Sequence, residues 1–150
     1  MTRDEVMAMT DDELRVKAAE LMGWRFIGVL PVPGSLGESS YRTWEGEYGI
    51  VATIESDQPN LTKDNYLPDY PNDIVAAMEL VEIAYSDGGL LFDVGRVHDE
   101  PTKWHADFFL LNPVCPGNET YNELSPFYRM LGASPAQAIT RAFILAMETE

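Results

Sequence analysis

The sequence is poor in cysteine, histidine and basic residues: one Cys, two His and 10 Lys+Arg in 150 residues. Each scarcity excludes something. A lone Cys115 cannot close an intramolecular disulfide, which fits a reducing compartment. Its Asn-Pro-Val-Cys-Pro-Gly surroundings hold no basic neighbour to lower a thiol pKa, so Cys/His nucleophilic chemistry has no support. His98 and His105 alone leave little material for His-rich metal chemistry. Against 25 Asp+Glu, the formal net charge is −15. That balance excludes sequence-wide nucleic-acid binding by phosphate neutralisation, and docking to an anionic membrane surface. No apolar run approaches the ~18 residues that a membrane span needs. The N-terminal MTRDEVMAMTDDEL is acidic and has no apolar h-region, so it is not read as a secretory signal. There is no Gly-x-Ser-x-Gly elbow and neither of the common glycine-rich phosphate loops.

What is present suits one packed domain. Hydrophobic residues make up 45% and aromatics 11%, enough for a core at this length. The acids are spread along the chain rather than gathered in a tail, as a solvated surface requires.

Local patterns give the elements. Thr10-Asp11-Asp12-Glu13 is a capping box, with Leu14, Ala18, Leu21 and Met22 following at helical spacing and Gly23 as a stop. Residues 2–9 read as a preceding helical turn. Strands are expected over Trp24–Leu30, Tyr41–Trp44 and Tyr48–Ile54, with Glu45-Gly46-Glu47 as a turn. The polar stretch 55–72 reads as a long loop. Asn72 is expected to cap a helix from Asp73 to about Tyr85, with Ile74, Met78, Val81 and Tyr85 as its apolar stripe and Gly88-Gly89 as its end. Leu90–Val97 and Lys103–Leu111 read as an antiparallel hairpin. Residues 112–133 read as irregular, with Phe127–Leu131 a short strand or helical turn. Ser134-Pro135-Ala136-Gln137 opens the last helix, with Ala138, Ala142 and Leu145 on one face beside Ile139, Phe143 and Ala146. The expected class is α+β, a mostly antiparallel sheet of about five strands with helices packed on it, in a single domain.

Three segments, ELRVKAAELMGW (13–24), YPNDIVAAMELVE (70–82) and ASPAQAITRAFILAM (133–147), together resemble the phage ABA-sandwich domain family. The matching residues are Gly23 and Trp24; Tyr70, Asp73 and Ile74; Pro135, Ala138, Arg141 and Ala142. The resemblance implies a phage-encoded protein with a helix–sheet–helix sandwich, and implies no reaction. Pro71 and Asn72 depart from the small hydroxyl residues usual before the Asp-Ile.

Ten of the 16 aromatics are Tyr or Trp, several in polar contexts near an arginine. A Tyr/Trp wall with one or two arginines can stack a base and neutralise a phosphate. A helix N-terminus offers free amides to an anion. On these grounds the expected ligand-binding residues are Arg42, Trp44, Tyr70, Asn72, Asp73, Trp104, Tyr128, Arg129 and Arg141. Each Trp taken singly reads as a core anchor. Arg141, in a small apolar helix stretch, reads equally as pocket-facing or as paired with an acid such as Glu20. His98, Asp99, His105 and Asp107 match no compact metal motif, and no metal or cofactor is assigned. Strand alternation puts His105 and Asp107 on one face, with Trp104, Ala106 and Phe108 on the other. Glu79 and Glu82 are expected in solvent, where general acid–base work is unsupported.

The expected function is therefore non-catalytic binding of a small anionic, nucleotide-like ligand. With the phage resemblance it becomes a counter-defence protein that sequesters a nucleotide immune signal in the host bacterial cytoplasm. An acidic, DNA-mimic-like inhibitor of a protein partner is the alternative, and a metal-dependent nucleotide hydrolase using His98 and His105 the third. Apolar residues crowding the last helix and the Phe108–Leu111 strand are compatible with a homo-oligomer.

Overall fold

The computed structural model describes residues 1–31, 40–55, 65–112 and 123–149. The elements run α1 (Arg3–Ala8), α2 (Asp11–Leu21), β1 (Arg25–Pro31), β2 (Ser40–Glu45), a 3-10 turn (Glu47–Gly49), β3 (Val51–Thr53), α3 (Ile74–Gly88), β4 (Leu91–Val97), β5 (Glu100–Asn112), β6 (Glu123–Gly132) and α4 (Pro135–Thr149). Cys115, Tyr121 and the Gly/Ser-rich run at 32–39 lie outside the described residues. No helix among the described residues is long and apolar enough to cross a membrane.

The α+β class stands, but the strands do not form one sheet. They form two antiparallel sheets of three strands each, β1-β2-β3 and β4-β5-β6. The hydrophobic pattern marks each strand without saying which edge it joins, so the pattern alone sums to one five-stranded sheet. Two further differences concern boundaries. Tyr48 takes a left-handed conformation, φ 63°, inside the 3-10 turn, so β3 begins only at Val51. Residues 123–132, expected to be mostly irregular, form the ten-residue strand β6.

Both N-terminal helices open on full capping boxes, Thr2 with Glu5 and Thr10 with Glu13. The cap of α3 is Asp73, not Asn72: the Asp73 carboxylate accepts from the Val75 amide at 2.9 Å, while the Asn72 side chain turns back to Asp69. Gly89, with φ 65°, closes α3 in the left-handed region that a side chain would disfavour. The expected stripe on α3 is also rotated. Its buried residues are Ala76, Ala77, Leu80 and Ala84, whereas Ile74, Met78 and Tyr85 are exposed. Small side chains win the inner face because α3 lies directly against α4, and alanines allow two helix backbones to approach closely.

Helix α4 is the centre of the core. Ala138, Ile139, Ala142, Phe143, Leu145 and Ala146 are all buried, as expected. Phe143 meets Phe108 edge-on at 6.4 Å, and Phe108 meets Phe92 at 5.4 Å, so α4 covers one face of the β4–β6 sheet. Each buried phenyl ring contributes roughly 2–3 kcal/mol. Gly132 allows the close approach at the β6–α4 corner, since a Cβ there would stand 2.5 Å from the Ala138 nitrogen. Buried side chains from all four helices and both sheets form one continuous cluster.

Candidate functional site

The faces of the β4–β6 sheet alternate along each strand. Phe92, Val94, Ala106, Phe108, Tyr128 and Met130 face α4. The opposite face is built from two registered rows. Asp93 pairs with Asp107 and Asp107 with Arg129; Gly95 pairs with His105 and His105 with Leu131. Residues directly opposite one another in antiparallel strands share a face with Cβ atoms about 5 Å apart. The expected alternation of His105 and Asp107 against Trp104, Ala106 and Phe108 thus holds, and the pairing adds Asp93 and Arg129.

Arg129 grips Asp107 with both arms, Nε to Oδ1 at 2.7 Å and Nη2 to Oδ2 at 2.8 Å. The Asp107 side chain is 4% exposed and that of Arg129 48%. The two hydrogen bonds it donates to Asp107 push the Arg129 guanidinium further above its ordinary pKa, against its partial burial. Its Cζ also lies 5.3 Å from the centre of the Phe127 ring, and Phe127 meets Phe109 at 6.4 Å. A guanidinium fixed in plane by a carboxylate, over an aromatic ring, is a preset fork for a phosphate or carboxylate.

His105 lies across strand β4. A Cβ on Gly95 would stand 2.9 Å from its Nε2, so the ring rests where only glycine leaves room. Its other nitrogen, Nδ1, faces Asp107 Oδ2 at 3.3 Å, is buried, and makes no hydrogen bond. Beyond it a cleft of 370 Å³ runs to the β4–β5 tip, lined by Val97, His98, Asp99, His105, Arg129 and Leu131 with Arg96. His98 is fully exposed there and pairs with Asp99 at 3.0 Å.

The other expected site residues are dispersed, except that Arg42 and Trp44 both line a hollow of 300 Å³ against α2, beside Asp12, Glu13 and Glu20. Trp44 and Tyr70 are core residues, 3% and 1% exposed, and Tyr128 is buried on the α4 side of its sheet. Burial pushes the Tyr70 phenol above its ordinary pKa, with Glu79 adding to the rise. Trp104 is half-buried under the Arg96 guanidinium, 5.0 Å from its ring. Arg42 is ion-paired with Glu55 at 2.7 Å. Asn72 and Asp73 start α3, where the Asp73 carboxylate already occupies the positive helix end and would repel an anion. Arg141 binds the Leu131 carbonyl at 2.8 Å, with Asp11, not Glu20, as its neighbouring acid. Partial burial lowers its pKa while Asp11 raises it. Arg141 therefore fastens α4 to β6, while Gln137 ties α4 to the start of α2 through Asp11 Oδ1 at 2.8 Å.

A larger hollow, 780 Å³, lies elsewhere, against Trp24, Tyr48, Ile50 and Tyr70. Glu45, Glu47 and Glu79 line it, and its one arginine, Arg25, is ion-paired with Glu45. It has the wrong sign for an anionic ligand, so the smaller cleft beside Arg129 is the better candidate despite its size. Sequence reasoning missed Phe127, Phe109 and Asp93. The signal that places them, cross-strand register, is absent from local spacing. No family model matches the chain, and no curated protein or solved structure is significantly similar to it.

Proposed function

We propose that the protein binds a small anionic, nucleotide-like ligand, without catalysis, on the face of the β4–β6 sheet turned away from α4. The observation that carries this reading is Arg129, which lines the cleft, clamped in plane by Asp107 and stacked over Phe127. A base can stack on Phe127 beside Phe109 while a phosphate meets the guanidinium edge. Stacking of this kind contributes about 1–3 kcal/mol per base. Binding without turnover makes the protein a sponge for its ligand, which is the counter-defence role the phage resemblance suggests for a nucleotide immune signal.

Calorimetry of the full chain against mononucleotides, dinucleotides and cyclic nucleotides tests the reading. At least one should bind with a Kd of about 10 µM or tighter. Phe127→Ala and Arg129→Met should each weaken it at least tenfold, and chromatography should recover the ligand unchanged. Failure of the whole panel to bind at about 100 µM sinks the proposal; turnover of the ligand replaces it with the hydrolase reading. One observation favours a second reading, the acidic protein inhibitor. Ile74, Val75, Met78 and Tyr85 leave an apolar face of α3 exposed beside the exposed Glu79 and Glu82. A basic protein partner bound there would dissociate steeply with added salt.

A further inference from the structure

We infer that Asp93, His105 and Asp107 form a binding site for a divalent transition-metal ion of the zinc or manganese class. This goes beyond the ligand reading, and only its last step rests on it. The nitrogen of His105 and one carboxylate oxygen from each aspartate lie within 4.8 Å of one another. Donors around one such ion stand about 3–4 Å apart. Asp93 is exposed at the sheet surface, so its side chain is the one free to turn toward an ion.

Three features separate this cluster from a chance meeting of acids. First, it joins an imidazole to two carboxylates, a donor set that suits zinc and manganese better than calcium or magnesium. Second, the His105 ring is positioned rather than free. Gly95 lets it lie on β4, which leaves Nδ1 aimed at Asp107, buried and without a hydrogen bond. At 3.3 Å from Asp107 Oδ2 the nitrogen makes a contact but no hydrogen bond, and a metal ion held by both groups would satisfy it. Third, Asp107 is already oriented by Arg129, much as the ligating carboxylates of metal sites are held by hydrogen bonds from behind.

The charge balance gives the ion a consequence. Without it, the Arg129 guanidinium faces two carboxylates. A divalent ion reverses that local sign. Three protein donors also leave coordination positions open toward the cleft. If the nucleotide reading holds, a phosphate oxygen of the ligand takes such a position, so that Arg129 and the ion share the anion.

The test is a titration of chelator-treated full chain with zinc and with manganese chloride, in phosphate-free buffer and without nucleotide. We expect one ion per chain, with a Kd of about 10 µM or tighter for at least one metal. Asp93→Asn changes an exposed side chain that takes no part in the core; it should weaken binding at least about tenfold, as should His105→Gln. His98→Gln, at the hairpin tip, should leave affinity within about twofold. No saturable binding below about 100 µM overturns the inference. So does tight binding that survives both Asp93→Asn and His105→Gln, or that is lost only in His98→Gln. Because no nucleotide is present, failure here leaves the stacking site untouched. Metal binding without nucleotide affinity refutes that reading alone.

Discussion

Replacing Arg129 by Met should destabilise the protein more than replacing Arg129 and Asp107 together. Arg129→Met strands the Asp107 carboxylate, whose side chain is 4% exposed. Removing one partner of a fully buried pair costs about 3–5 kcal/mol, because the surviving charge has lost both its partner and water. Here the arginine side is 48% exposed, so solvent already screens part of the pair. The expected loss is therefore about 2–3 kcal/mol. Adding Asp107→Leu removes the stranded charge and puts apolar volume beside Phe109 and Leu91. The double variant should lose about 1 kcal/mol or less. At this chain length 1 kcal/mol shifts Tm by roughly 2–4 °C. Arg129→Met should then lower Tm by about 5–10 °C, and the double variant by under about 4 °C. Urea unfolding followed by circular dichroism, with calorimetry in chelator-containing buffer, measures both. A double variant as unstable as the single one refutes the reasoning, because it shows that the stranded carboxylate carries none of the cost.

Two further perturbations probe the frame around the site. The Tyr70 phenol is held above its ordinary 10.0 by burial, so it stays protonated in the folded chain while the unfolded chain ionises. Its contribution is fully present below about pH 10 and is lost as pH rises beyond it, with a slope of at most about 1.4 kcal/mol per pH unit. Tyr70→Phe should flatten the loss of stability between about pH 10 and pH 11.5 relative to the parent protein; an unchanged slope contradicts the assignment. Gly132→Ala would drive a Cβ to 2.5 Å from the Ala138 nitrogen, a backbone atom that cannot swing aside. The expected cost is about 1–3 kcal/mol, read as a lower urea midpoint. A midpoint equal to that of the parent would show that the β6–α4 corner is looser than its geometry.

Helices were the legible part of this fold. The capping box at Thr10 and Glu13, the stop at Gly89 and the buried faces of α4 all follow from residues within one or two turns of each other. Local chemistry decides them, so local reading finds them. The inner face of α3 escaped because tertiary packing decided it. Its larger residues, Ile74, Met78 and Tyr85, formed a convincing stripe, yet the neighbour α4 admitted alanines. Sheet membership escaped for a related reason. Strand β6 pairs with β5 across an interval of the chain whose proline and glycine content reads as irregular, and nothing in Glu123–Gly132 names its partner.

The same distinction separates the found from the missed members of the candidate site. His105 and Asp107 are two apart, so strand alternation alone places them together. Asp93 and Arg129 come from neighbouring strands and join them only when the pairing is known. A slip of one residue in β4 would set Phe92 or Val94 in place of Asp93 and turn the carboxylate toward the core, a register the buried Phe92–Phe108 contact forbids. The hydrophobic face thus fixes the polar one. Trp44, Tyr70 and Tyr128 are buried for the same reason: exposure follows from the face a position occupies, not from residue type. Phe127 stands beside Arg129 because it is two residues away on the same strand face, and Tyr128 between them is buried for the same reason. Net charge works likewise. A value of −15 describes the whole surface, but the chemistry open to this protein depends on two carboxylates, one imidazole and one guanidinium that the sheet brings side by side.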